Sequence, residues 1–145
     1  MKKYIKLLLL ICVTFFTMCK KDAPIIQKPN LPKLYGKWNW VVTSGGFSGF
    51  VASPATVGYS LSTQFNSDGT CINLKNGQQT ENIYYTITQG TSFLTRQQEN
   101  FINYLRPHQK NYDFTVKQYL TFYGNDSLTI SDDADDGEEI LYVRQ

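Results

Sequence analysis

From Leu34 to the C-terminus the chain alternates, and that alternation limits what it can fold into. Trp38, Trp40 and Val42 fall on one face, with Asn39, Val41 and Thr43 on the other. Tyr59, Leu61, Thr63 and Phe65 alternate with Ser60, Ser62, Gln64 and Asn66, and Ile72 and Leu74 follow. Ile83, Tyr85 and Ile87 form a further face. So do Phe114, Val116, Leu120 and Phe122, then Leu128 and Ile130, then Ile140 and Tyr142. A period of two means strands with one face turned to a core. Composition agrees: β-branched and aromatic residues abound, and Ala occurs only at 52, 55 and 134 in this region.

Turn signals separate the runs. Asn66 to Gly69, Asn76-Gly77, Gly124 to Asp126 and Asp136-Gly137 are hairpin connections. Connections this short pair neighbouring strands antiparallel. Asn100 to Leu105 reads as a strand or as one helical turn ended by Pro107, giving eight or nine strands in all. About eight short alternating strands need their edges removed, and closure into an up-and-down antiparallel β-barrel does so. A two-sheet sandwich is the rival, but Greek-key crossovers are longer than most of these turns.

The N-terminus carries a different pattern. Met1 to Lys6 is basic, and Leu7 to Met18 is apolar and too short to span a bilayer comfortably. This reads as a secretory signal. The run stops at Cys19, followed by Lys20, Lys21 and Asp22. It resembles a bacterial lipoprotein signal, in which the Cys becomes the first residue and carries the lipids. That resemblance implies a signal peptide over 1–18, lipid attachment at Cys19 and an outer-membrane, cell-envelope location. Residues 19–33 hold Pro24, Pro29 and Pro32 among lysines and read as an extended tether. The domain is then 34–145.

Charge and cysteine content narrow the function. The formal net charge is +2, and discounting Lys2, Lys3 and Lys6 leaves 11 basic against 12 acidic residues. No basic patch remains for nucleic acid. With Cys12 in the signal and Cys19 acylated, Cys71 stands alone and no intramolecular disulfide forms. Cys71 reads as a small strand residue.

Gly36-Lys37-Trp38 opens the first strand, and Arg144 ends the last. This pairing resembles the lipocalin superfamily. The nearer likeness is to the small lipocalin-like domains of bacterial lipoproteins, through Gly36 to Trp40, Gly45-Gly46-Phe47 with Gly49, Ser53-Pro54 with Gly58, Phe65, Asp68-Gly69, Asp126 to Leu128 and Tyr142 to Arg144. The resemblance implies that Arg144 lies over the Trp38 indole and hydrogen-bonds nearby carbonyls. Gly36, Trp38 and Arg144 are then structural closure residues.

Chemistry finds little support. His108 is the sole histidine, so His/Cys zinc sites and Ser-His-Asp triads are poorly served. The run 132–139 holds six carboxylates, but a calcium loop anchored on Gly137 would place Ala134 and Val143 at ligand positions, so a solvated turn is expected. No enzyme activity, cofactor or metal is expected, and a monomer is. The long loop 44–58 carries Phe47 and Phe50, which are expected to line or cover a cavity at the barrel mouth, or to plug the barrel. Two functions follow. One is a lipid-anchored binding module for a small apolar ligand. The other is a solid-barrel interaction lipoprotein recognising a glycan or protein through exposed aromatics such as Tyr84, Tyr119 and Tyr123.

Overall fold

The computed structural model describes residues 30–105 and 116–145. The signal segment, Cys19, most of the tether, His108 and Phe114 lie outside the described residues.

Among these residues the chain is nearly all β: a closed antiparallel barrel of eight strands with one extra strand. The strands are β1 (Gly36–Gly45), β2 (Phe50–Ala52), β3 (Leu61–Phe65), β4 (Thr70–Lys75), β5 (Gln78–Thr91), β6 (Gln98–Leu105), β7 (Gln118–Tyr123), β8 (Ser127–Asp132) and β9 (Glu138–Arg144). Helix is limited to a 3-10 turn at Pro32–Leu34 and one turn, α1 (Pro54–Val57). Consecutive strands from β3 to β9 pair antiparallel, and all but β6 and β7 are joined by turns of two to six residues. β1 pairs β9 from Trp38↔Arg144 to Gly45↔Glu138, which closes the barrel and leaves no sheet edge there. The other edge of β1 is shared: its first half pairs β3, and its last three residues pair β2.

The alternation places the core. Trp38, Phe65, Cys71, Tyr85 and Leu128 are fully buried inside the barrel, beside Ile83, Ile102, Leu120 and Ile130. The large aliphatic and aromatic side chains among them contribute about 1.5–3 kcal/mol each by leaving water. Phe65 meets Tyr85 edge-on, ring centroids 5.2 Å apart, and the Tyr85 hydroxyl donates to the Asn66 carbonyl at 2.9 Å. The polar tip of a buried tyrosine is thereby satisfied.

Three expectations change and one open alternative closes. Residues 100–105 form strand, not a helical turn, because all of β6 is laddered to β5. A register shift between Trp40 and Val42 turns Val42 away from the face of Trp38 and Trp40. On β4 the inward residues are Cys71 and Asn73, opposite Phe65 and Thr63, so Ile72 and Leu74 face outward. The tether also ends earlier than expected: Leu31 packs on the core, and the Lys33 carbonyl accepts a hydrogen bond from Arg144.

The stretch 44–58 is not one loop. β1 turns into β2 through Gly46–Gly49, closed by the Gly49 N–H to the Gly46 carbonyl at 3.0 Å, and α1 follows. A Cβ on Gly45 would overlap the Gly137 carbonyl, so only glycine lets this hairpin meet the β8–β9 turn. The hairpin points Phe47 into solvent, 97% exposed, with Phe50 at 48%. Neither ring is among the side chains that line the barrel's cavity, and the fully exposed Phe47 does not plug the interior.

Candidate functional site

One end of the barrel is sealed. The Arg144 guanidinium carbon lies 4.1 Å from the Trp38 ring centroid. Its Nε donates to the Asn125 carbonyl at 2.9 Å, and its two terminal nitrogens donate to Tyr35 and Lys33 at 2.8 and 2.7 Å. Trp38 Nε1 donates to the Leu34 carbonyl at 2.7 Å. Gly36 stands at φ +120°, where a Cβ would come within 2.9 Å of the guanidinium. These three residues, singled out in the sequence, meet in one cluster whose parts are all spent on holding backbone together. That is support for the fold, not a place for a ligand.

A ring of inward positions further along the same strands lines a cavity. Phe65 gives way to Thr63 on β3, Cys71 to Asn73 on β4, Tyr85 to Ile83 on β5, and Leu128 to Ile130 on β8. With Tyr104, Gln118, Ile140 and Tyr142 these enclose a half-open cavity of about 240 Å³. Three isoleucines make an apolar wall. The remaining five side chains are polar.

The polar side is built from two hydrogen-bonded arms. The Tyr142 hydroxyl is hydrogen-bonded to Thr63. Thr63 donates to Asn73 Oδ1 at 2.9 Å, and Asn73 Nδ2 donates to Glu81 at 2.9 Å. A second arm runs from Gln118 Nε2 to Asp132 at 2.9 Å. Part-buried hydrogen-bonded chains of this kind hold their members in fixed orientation. Burial pushes the Tyr142 phenol up to about 12, with Cys71 adding to the rise and the Thr63 hydrogen bond opposing it. Burial also pushes the Cys71 thiol up to about 12, helped by the Glu81 charge. Cys71 is therefore a packed thiol, not a nucleophile.

The mouth bears aromatic and cationic groups. Trp40 stacks on Tyr59 with centroids 6.3 Å apart, and Lys75 Nζ sits 3.9 Å over the Tyr59 ring. Elsewhere, Asp133 fastens the β5–β6 turn. It accepts from the Ser92 hydroxyl at 2.6 Å and from the Phe93 and Leu94 N–H groups at 2.9 and 3.1 Å. Burial alone would raise its carboxyl. The Phe93, Ser92 and Leu94 donors, with Lys117, outweigh that and hold it below the usual value. Asp132 accepts from the Glu138 N–H at 3.1 Å as well as from Gln118, so the first two carboxylates of the acidic run serve the fold. Of the tyrosines expected on the surface, Tyr84 and Tyr123 are exposed, whereas Tyr119 is half-buried with its ring 6.3 Å from Phe101.

Sequence reasoning missed the cavity wall, because Thr63, Asn73 and Gln118 carry no signal separating them from solvent-facing strand residues. No family model, curated protein or solved structure matches the chain.

Proposed function

We propose that the protein is a lipid-anchored, lipocalin-like binding module of the bacterial cell envelope, which takes a small ligand inside its barrel. The half-open 240 Å³ cavity carries this reading, since it sits above a fully packed floor instead of being filled like one. An eight-stranded barrel has room for one small ligand. The Trp38–Arg144 cluster seals the far end, so the described opening lies at the other. The lipoprotein-type signal ending at Cys19 supports the anchor, and the tether lets the domain stand off the membrane. Native mass spectrometry of the protein purified from its host tests the reading. A small molecule carried at one copy per chain, and lost when Ile130→Trp fills the cavity, supports it. A bare chain mass under conditions that preserve the fold argues against it.

A second reading rests on one observation. Phe47, Phe50 and Val51 are all exposed on the β1–β2 hairpin, the last at 62%. Exposed aromatics on a hairpin suit a glycan or protein partner, and in that case the barrel is mainly a scaffold. A bare chain mass, together with partner capture lost on Phe47→Ser, would favour it.

A further inference from the structure

The cavity's chemistry restricts its ligand further. This argument rests on the preceding reading that the cavity binds one. We propose that the occupant is a compact, uncharged molecule of about one ring, with hydrogen-bonding groups on one side and an apolar face on the other; a fatty-acid-like anion does not fit. The size follows from 240 Å³, below the roughly 300–1,000 Å³ of sites for drug-sized molecules. The two-sidedness follows from the wall. Ile83, Ile130 and Ile140 offer only van der Waals contact, whereas Thr63, Asn73 and Gln118 offer amide and hydroxyl groups already fixed in direction.

The charge follows from what stands behind the polar wall. None of the eight lining side chains is basic. Both hydrogen-bond arms reach carboxylates, Glu81 behind Asn73 and Asp132 behind Gln118. Lys75, two positions beyond Asn73 on the same side of β4, is exposed at the mouth and held over the Tyr59 ring. A carboxylate entering the barrel would give up its hydration with no cation among the described lining side chains and with carboxylates behind the polar wall, which is unfavourable in a low-dielectric site. A wholly apolar ligand would fit the isoleucines but would leave the fixed polar groups of the opposite wall facing hydrocarbon, which also costs affinity.

Three molecules of one shape separate these possibilities: benzamide, benzoate and toluene. Saturation-transfer NMR and thermal shift on the full chain in detergent give the readout. Benzamide is expected to bind at least about tenfold more tightly than benzoate or toluene, a difference of one good polar interaction. Asn73→Leu should cut benzamide binding and improve toluene, whereas Ile130→Trp should abolish all binding. Equal or tighter benzoate or toluene binding that Ile130→Trp removes would overturn the ligand class and leave the binding reading standing. Silence from all three probes, with Ile130→Trp more stable than the parent, would mark the cavity as a packing gap and overturn both. Benzamide binding that survives Ile130→Trp would place it elsewhere and overturn the proposal.

Discussion

Trp38 and Arg144 are direct partners across the β1–β9 seam, and the guanidinium lies 4.1 Å from the indole centroid. The same guanidinium reaches the carbonyls of Lys33, Tyr35 and Asn125. One side chain thus ties together the segment leading into the first strand, the β7–β8 turn and both strands of the seam. These carbonyls sit at the sealed end and would otherwise need other donors.

Arg144→Ala should therefore destabilise the domain although it is one residue from the C-terminus. The stack contributes about 1–2 kcal/mol, and the charge-assisted hydrogen bonds about as much again. Urea unfolding should show a loss of roughly 2–4 kcal/mol for Ala and a partial recovery for Lys, whose ammonium lacks the planar fork. An Ala variant as stable as the parent would show that closure rests on the strand ladder alone.

Gly36→Ala tests the same cluster from the backbone side. At φ +120° any L side chain is strained, by about 1–3 kcal/mol, and the new Cβ also meets the Arg144 guanidinium at 2.9 Å. The strain persists without the arginine, but the steric clash does not. The double variant should then lose less stability than the two single losses added together, since residues in contact couple. Strict additivity in denaturant titrations would contradict the contact.

The legible parts of this fold are those where apolar residues and the pleat agree. Tyr85 with Ile83, Leu120 with Phe122, and Leu128 with Ile130 all occupy the face that their alternation predicts. β4 broke the rule because its inward positions are Cys71 and Asn73, while the more apolar Ile72 and Leu74 lie outside. A barrel interior with a polar wall reverses the usual sign of the pattern, and a single sequence does not reveal that reversal. The bulge after Trp40 is invisible for a related reason: Trp-Val-Val carries no residue type that demands an extra position. Phe47 misled in the other direction. An aromatic in a long glycine-rich stretch suggested a mouth, but the stretch is a hairpin that directs the ring outward.

Asp133 should act as a clasp on the β5–β6 turn. Replacing it with Asn keeps the shape but removes the charge and one acceptor oxygen, so residues 92–97 should exchange amide hydrogen faster and become sensitive to trypsin at Arg96. Its burial is outweighed by the Phe93, Ser92 and Leu94 donors and Lys117, so its carboxyl is held below its ordinary value in the fold. The folded state therefore favours the charged form, and this contribution is complete above the unfolded value and fades as pH falls through the lower folded one. Asp133→Asn should flatten the stability profile below about pH 4, the ordinary range of the group. A parallel acid profile in both proteins would exclude the clasp.

Cys19→Ala should separate the anchor from the barrel. If Cys19 carries lipid, the variant should leave the membrane fraction or accumulate as an uncleaved precursor of higher mass. Metabolic labelling with a fatty-acid analogue should also disappear. The barrel, whose described contacts begin at Leu31, should keep its melting temperature. An unchanged fractionation and mass would remove the lipoprotein reading without touching the fold.

The buried acids predict how the barrel fails in base. Cys71 moves from 9.0 to about 12 and Tyr142 from 10.0 to about 12, both chiefly through burial, and Tyr85 is raised for the same main reason. Each group stays protonated in the fold after its unfolded counterpart has ionised. The unfolded chain then binds fewer protons than the folded one, so stability falls as pH rises. The loss begins near pH 9 for the thiol and near pH 10 for the phenol, and it ends as the folded groups titrate near 12. Across that window each group removes about 1.4 kcal/mol per pH unit. Urea midpoints measured from pH 8 to 11 should show a plateau and then a steepening decline. Cys71→Ala should lower the plateau, because it opens a small gap in the core, and should remove the earliest part of the decline. In the parent, labelling of Cys71 by a disulfide reagent at pH 9 should be slow and should accelerate with added urea, since the thiolate appears only when the barrel opens. Fast labelling of the native barrel, or a flat stability profile up to pH 11, would show that the thiol and phenol reach solvent.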